Sequence, residues 1–271
     1  MTTETLEAPH LDAVPDTPIL RTDNLTKNYG AITGCRNVSF EIYSGEVVGI
    51  VGESGSGKST LLNCISGRLP PTSGSVHFNT KKYGLTDMFS LSEADRRRLQ
   101  REELGFVHQN PRDGLRMRVS AGANVAEPLM NLGQRHYGDM RRETVDWLSQ
   151  VELDIRRIDD NPRNFSGGMQ QRIQIARNLV HGPRLVFMDE PTGGLDVSVQ
   201  ARLLDMLRYL VRRSNLAVIV VTHDLAVARL LADRLIVMKN GDVVETGLTD
   251  QVLDDPQHAY TQLLVSAVLQ I

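Results

Sequence analysis

The chain has 271 residues, 41% of them hydrophobic and 23% charged, with a formal charge of −3. That balance belongs to an ordinary globular protein and gives no electrostatic reason to bind nucleic acid or an acidic membrane surface. No apolar run approaches the roughly 20 residues a bilayer span requires, and the two cysteines, Cys35 and Cys64, supply neither a disulfide framework nor a metal-ligand spacing.

The opening stretch carries Glu4, Glu7, Asp12 and Asp16, with no Lys or Arg before Arg21, and is interrupted by Pro9, Pro15 and Pro18. Its charge is opposite to that of a secretory signal, so residues 1–18 read as a disordered acidic tail and the cytoplasm is the expected compartment. Short strands are expected at 19–20, 38–42 and 47–51, with Gly45 in a turn. Val47-Val48-Gly49-Ile50-Val51 is apolar throughout, as a strand buried on both faces must be. It runs into Gly52-Glu53-Ser54-Gly55-Ser56-Gly57-Lys58-Ser59, which fits G-x-x-x-x-G-K-[ST] at every fixed position. Gly52, Gly55 and Gly57 let the backbone turn tightly and approach an anion. Free N–H groups at the start of the following helix, around Ser59 and Thr60, then point at phosphate oxygens. Lys58 brings a point charge for the β- and γ-phosphates, and Ser59 a hydroxyl for Mg²⁺.

Residues 61–65 look helical. From 92 to 101 the chain is polar and Arg-rich, and Arg96, Arg97, Arg98 and Arg101 read as a solvated helix face. From 141 to 151 the apolar residues Val145, Leu148 and Val151 share one side of a helix. A helical subdomain is therefore expected over about 90–165. Beyond it the pattern is α/β. Residues 185–188 form a strand ending in Asp189-Glu190. Val199, Leu203, Met206, Leu207 and Leu210 fall at helical spacing, and residues 216–221 form a second buried strand ending at Thr222-His223. Asn240-Gly241 between apolar runs signals a hairpin. In this setting Asp189 can orient Mg²⁺, and Glu190 can polarise an attacking water, because phosphoryl transfer needs charge neutralisation and an aligned nucleophile.

Five further features bring a family into view. Phe165-Ser166-Gly167-Gly168-Met169-Gln170-Gln171-Arg172 resembles the signature Leu-Ser-Gly-Gly-Gln of the ABC (ATP-binding cassette) ATPases. Gly194-Leu195-Asp196 resembles their D-loop, Gln109 their Q-loop glutamine, and His223 their switch histidine. Tyr29 sits where the family places an aromatic ring on adenine. The order of these elements matches the family over roughly residues 20–250. The resemblance implies an α/β fold, with a RecA-like P-loop core, an antiparallel β subdomain and a helical subdomain. It implies ATP and Mg²⁺ as ligands, with Ser59, Gln109 and Asp189 around the metal and Glu190, Gln109 and His223 at the reacting phosphate. Ser166, Gly167, Gly168 and Met169 would act in trans, completing the site of a second molecule, in a homodimer or with a related ABC protein. Phe165 and Met169 replace the usual Leu and Gln, while the anion-binding Ser-Gly-Gly is intact.

Within the family, Asp255-Pro256-Gln257-His258-Ala259-Tyr260-Thr261 and Ala126-Glu127-Pro128 resemble the ATPases of peptide importers. The segment Arg112-Asp113-Gly114-Leu115-Arg116 departs from them, and no cysteine-bearing extension follows Ile271. Ser92-Glu93-Ala94-Asp95-Arg96-Arg97-Arg98-Leu99, Arg135-His136-Tyr137-Gly138-Asp139 and Pro191-Thr192-Gly193-Gly194-Leu195-Asp196-Val197-Ser198 resemble instead the ATP-binding subunits of carbon–phosphorus lyase systems, which degrade alkylphosphonates. That likeness implies docking on a soluble lyase core complex, without membrane insertion. Arg112, Arg116 and Arg118 are expected to face an acid-bearing partner, because guanidinium groups pair with carboxylates.

Overall fold

The computed structural model describes residues 17–268; residues 1–16, which hold most of the expected acidic tail, lie outside them. The chain runs through β1 (Leu20–Tyr29), β2 (Ile32–Ile42), β3 (Val47–Val51), α1 (Lys58–Ile65), β4 (Ser73–Thr80), β5 (Gly84–Asp87), α2 (Glu93–Glu102) and β6 (Leu104–Val107). A short turn of helix α3 (Pro111–Gly114) leads to α4 (Ala121–Asn131), α5 (Tyr137–Gln150) and α6 (Gly167–Leu179). Then come β7 (Leu185–Asp189), α7 (Val197–Ser214), β8 (Ala217–Thr222), α8 (Leu225–Leu231), β9 (Arg234–Lys239), β10 (Asp242–Leu248), α9 (Thr249–Asp254) and α10 (Ala259–Val268).

Two sheets result. One is antiparallel in the order β2-β1-β4-β5, and the other follows the order β10-β9-β3-β8-β7-β6, parallel except for β10. Every residue of β3 and β8 is buried, which explains their uninterrupted apolar composition. Side chains alternate across the pleat. Val48 and Ile50 therefore join Leu61, Leu62 and Ile65 of α1 in a core shared with Leu20, Leu25 and Phe78 of the antiparallel sheet. Val47 and Val51 join a second core built with the helices from α4 onward. Helix α1, which begins in the phosphate-loop motif, is thus clamped between the two sheets.

The structure extends the expected strands. β1 runs for ten residues, where two were expected, because only Leu20, Thr22 and Leu25 along its first part are fully buried while polar residues fill its other face. Register shifts between Thr22 and Leu25 and between Leu25 and Lys27 break the alternation further. Between residues 90 and 165 lie α2 to α5 with their connecting loops, and also β6, four residues that pair in parallel with β7 and so belong to the large sheet. The hairpin at Asn240-Gly241 is present, with φ of 50° and 88°, the left-handed pair that a two-residue turn of this kind requires.

Candidate functional site

The sheet register gathers the candidate residues at one end. Val51 of β3 lies beside Thr222 of β8, Asp189 of β7 beside Val221, and Val107 of β6 beside Met188. The phosphate-loop motif, His223, Asp189-Glu190 and Gln109 therefore all follow directly from the carboxyl ends of adjacent parallel strands. Ligands of open α/β sheets bind at that edge.

The loop from Gly52 to Gly57 is shaped by close backbone approaches. A Cβ on Gly52 (φ 149°) would lie 2.2 Å from the Met238 carbonyl oxygen, and one on Gly57 (φ 103°) 2.0 Å from that of Gly34. Gly55 (φ 82°) faces open space, with nothing within 4 Å of its Cβ position, which leaves room for a ligand. Glu53 and Ser54 beside it are exposed, while Ser56 is buried. Gly57 caps α1, whose first turn holds no acidic residue to compete for its free N–H groups. Lys58 is buried, and its Nζ donates to the carbonyls of Gly52 (2.8 Å) and Glu53 (2.7 Å). Burial pulls its pKa down, against the opposing pull of Glu190, Asp189 and Glu53. Tyr29 is 49% exposed at the end of β1. A Cβ on Gly34 would meet Thr60 Cγ2 at 2.6 Å and Tyr29 Cε2 at 3.0 Å, so the bare glycine lets the ring approach the start of α1.

The acids form a connected set. Ser59 Oγ donates to Asp189 Oδ1 at 3.4 Å. Asp189 is raised above its ordinary pKa, first by burial and then by the neighbouring Glu190, with the Ser59 bond and Lys58 acting the other way. Glu190 adopts φ 43°, uncommon for a residue with a side chain. Both its oxygens are engaged: Gln109 Nε2 donates to Oε2 at 2.8 Å, and His223 Nδ1 donates to Oε1 at 2.9 Å. Gly193 lies over Gln109, and a Cβ there would come within 3.4 Å of Nε2.

The signature residues lie apart from this set. Ser166 caps α6, accepting from the Met169 amide at 3.4 Å. Ser166 and Gly167 are exposed, Met169 is half-buried, and Gly168 is buried where a Cβ would press on Val199 at 2.6 Å. Among the described residues no hydrogen bond joins residues 166–169 to the phosphate loop. Asp196 is exposed at the start of α7, and Val197 beside it is 84% exposed. A cleft of about 500 Å³ lies between Gln109, Arg112, Arg163, Gly167 and Gly194.

Arg116 is exposed, and its guanidinium pairs with Glu127 at 2.9 Å, while Glu127 also takes Arg177 at 2.6 Å. Among the described residues Arg112 and Arg118 are exposed and form no ion pair.

Two contributors to the site were not anticipated. Tyr260 of α10 accepts the Glu53 amide through its hydroxyl at 3.0 Å, across 207 positions of sequence. Gly241 donates to the Ser56 carbonyl at 2.9 Å, bracing the loop with the β9–β10 hairpin. The hairpin itself was visible as Asn-Gly, but its contact with the loop depends on β9 lying beside β3. No local pattern encodes that adjacency.

A phosphate loop after β3, an acidic pair at the end of β7, a glutamine after β6, a histidine after β8 and a Ser-Gly-Gly helix start with Ser166 and Gly167 exposed define an ATP-binding cassette. The ABC transporter family profile matches residues 35–193, and the chain belongs to this family of ATP-binding ATPases. It is 64% identical over 253 residues to the "Putative phosphonates utilization ATP-binding protein PhnK" of Escherichia coli (strain K12), spanning 93% of this chain and 98% of that protein. It is 36% identical over 241 residues to the "Dipeptide transport ATP-binding protein DppD" of Bacillus subtilis (strain 168), spanning 88% of this chain and 72% of the relative. Among solved structures it superposes with TM-score 0.76 and 33% identity on the "Dimeric structure of a post-hydrolysis state of the ATP-binding cassette MJ0796 bound to ADP and Pi", covering 85% of this chain and 98% of that one. No helix among the described residues is long and apolar enough to cross a membrane.

Proposed function

We propose that this ATPase is the nucleotide-hydrolysing subunit of a carbon–phosphorus lyase system for alkylphosphonates, acting in the cytoplasm as a dimer around two MgATP. The observation that carries the reading is the 64% identity to a phosphonate-utilisation protein along nearly the whole of both chains, against 36% for the dipeptide-transport relative.

The residues suit the chemistry. Gly55, the N–H groups of α1, Lys58 and Thr60 hold the phosphates, Gly52, Glu53, Ser54, Ser56 and Gly57 shape the loop, and Tyr29 offers a face for the base. Ser59 and Asp189 would hold Mg²⁺ with Gln109 nearby, and bound Mg²⁺ would neutralise charge developing on the transferred phosphoryl group. Glu190 is the base for the attacking water. With both its oxygens held by Gln109 and His223, it is occupied until the γ-phosphate draws those donors toward itself. Hydrolysis is thereby coupled to nucleotide binding. The separation of Ser166–Met169 from the loop of the same chain supports their use on a partner's ATP, with Asp196 at that interface. The exposed Arg112 and Arg118, with the cleft beside Gln109, form the surface for the acid-bearing lyase core.

The test is co-purification of tagged protein with untagged partners. The lyase core subunits are expected to follow it; recovery of two membrane permeases would favour the importer reading that the dipeptide-transport likeness keeps open. The R112E/R118E pair is expected to lose the core at moderate salt while keeping basal ATPase activity. Arg116 is left out of that test because its reversal would set two carboxylates against each other beside Glu127.

A further inference from the structure

The acidic stretch ahead of β1 has no part in nucleotide hydrolysis, yet the described residues offer a surface of opposite charge close to where it joins them. The exposed face of α7 carries Arg202, Arg208, Arg212 and Arg213 against a single acid, Asp205. Among the described residues none of these four arginines forms an ion pair, whereas Arg229 on α8 is paired with Asp254 and Arg234 on β9 with Glu46. Between α7 and α8 lies a cleft of about 130 Å³, walled by Leu207, Val211 and Leu230 and bordered by Arg208 and Arg212. Asp233, the acid in its lining, is engaged by the Val47 amide at 2.8 Å.

The chain enters β1 beside this cleft. Ile19 donates to the Ile42 carbonyl at 2.8 Å and Leu20 lies opposite Ile42, so in this antiparallel pair the residues before β1 lead toward the turn that follows β2. That turn is fixed to the end of α7. Ser44 Oγ donates to the Asn215 carbonyl at 3.2 Å, and a Cβ on Gly45, which lines the cleft, would meet Asn215 Oδ1 at 2.2 Å. Residues 1–16 hold Glu4, Glu7, Asp12 and Asp16, the apolar Leu6, Leu11 and Val14, and no lysine or arginine. Extended at about 3.3 Å per residue they reach up to roughly 50 Å, against about 27 Å for the whole of α7 at 1.5 Å per residue. A second basic pair, Lys81 and Lys82, lies at the same end of the sheet, where Ile19 accepts from the Asn79 amide. Asp95, Glu102 and Glu103 line the cleft beside that pair and oppose an acidic occupant.

We propose that residues 1–16 dock on the arginine face of α7 in the same chain, their carboxylates against Arg208, Arg212 and Arg213 and an apolar side chain in the cleft between α7 and α8. Guanidinium groups pair with carboxylates in bidentate fashion. Each exposed pair contributes little by itself and is screened by salt. Covalent attachment a few residues away gives the segment a high effective concentration at the face, so weak pairs suffice. The segment thereby covers the largest unpaired basic stripe of the helix that follows Asp196.

Cleavage of the full chain after Glu4 and Glu7 by a glutamate-specific protease, followed by intact mass, reads the docking. A dilute synthetic peptide of residues 1–16 in the same mixture gives the undocked rate at each salt concentration. At low salt the chain is expected to be cut at least about tenfold more slowly than the peptide, and the difference should vanish at high salt. R208E/R212E should be cut at the peptide's rate, R208K/R212K should keep most of the protection, and K81E/K82E should keep all of it. The variants are compared at unchanged melting temperature, and R212E alone carries the comparison if the double reversal lowers it. A wild-type chain cut like the peptide at low salt, protection that survives the reversals or high salt, or protection lost in K81E/K82E instead, overturns the proposal. Protection that grows with protein concentration overturns it as well, since the segment would then lie on a second copy.

Discussion

Glu190 carries the sharpest predictions because its partners are all visible. Removing its charge in E190Q should leave MgATP binding intact and slow phosphate release at least about a hundredfold, the scale of a lost positioned base. Near-normal turnover would remove Glu190 from that role. The K58A variant should bind ATP more weakly by calorimetry, since a buried cation would no longer face the triphosphate. Asp189 allows a stability test. Burial and Glu190 raise its pKa, so its ionised form costs stability in the nucleotide-free fold at neutral pH. That cost accrues as pH rises from the ordinary carboxylate value to the raised one, is complete above it, and vanishes below the ordinary value, where the carboxyl is protonated in both folded and unfolded chains. D189N should therefore melt higher than wild type at neutral pH, and the gap should close on acidification. No gap at neutral pH would mean that the charge is adequately solvated. These residues were legible in the sequence because each belongs to a local motif. The bonds from Gln109 and His223 to Glu190 were not, because they join positions 81 and 33 residues away from it.

At the scale of elements, spacing revealed the buried parallel strands and the hairpin but undercounted β1 and hid β6. β3, β8 and β7 announce themselves because burial on two faces demands apolar residues throughout. β1 has one polar face and three irregularities in its register with β2, so its period is masked. β6 is only Leu104-Gly105-Phe106-Val107 and sits among helices in the chain, and its membership of the large sheet is a tertiary fact. The glycines make an element-scale prediction. G57A would place a Cβ against the Gly34 carbonyl at a φ that side chains avoid, so it should disrupt the junction of β2, the loop and α1. Loss of ATP binding, together with a lower melting temperature, is expected. A variant that binds ATP like wild type would show that the junction yields readily.

For the molecule as a whole, the separation of the signature helix from its own phosphate loop predicts complementation. S166R and K58A should each be inactive alone. Mixed, they should form heterodimers with one intact composite site and recover up to about half the activity per dimer if the two sites work independently. An S166R protein that hydrolyses ATP normally at all concentrations would place the signature outside the site. Nothing in the sequence of one chain displays this geometry directly; it was legible only through family resemblance. The bond from Tyr260 to the Glu53 amide has a different kind of consequence, in time. Translation at about 5–20 residues per second leaves the phosphate loop waiting about 10–40 s for the tyrosine that clamps it. A ribosome-bound chain displays its glycine loop long before the brace exists. A cassette truncated ahead of α10 by a premature stop would likewise lack this brace at the mouth of its nucleotide site. Completion of synthesis thus acts as a licence for the finished loop geometry.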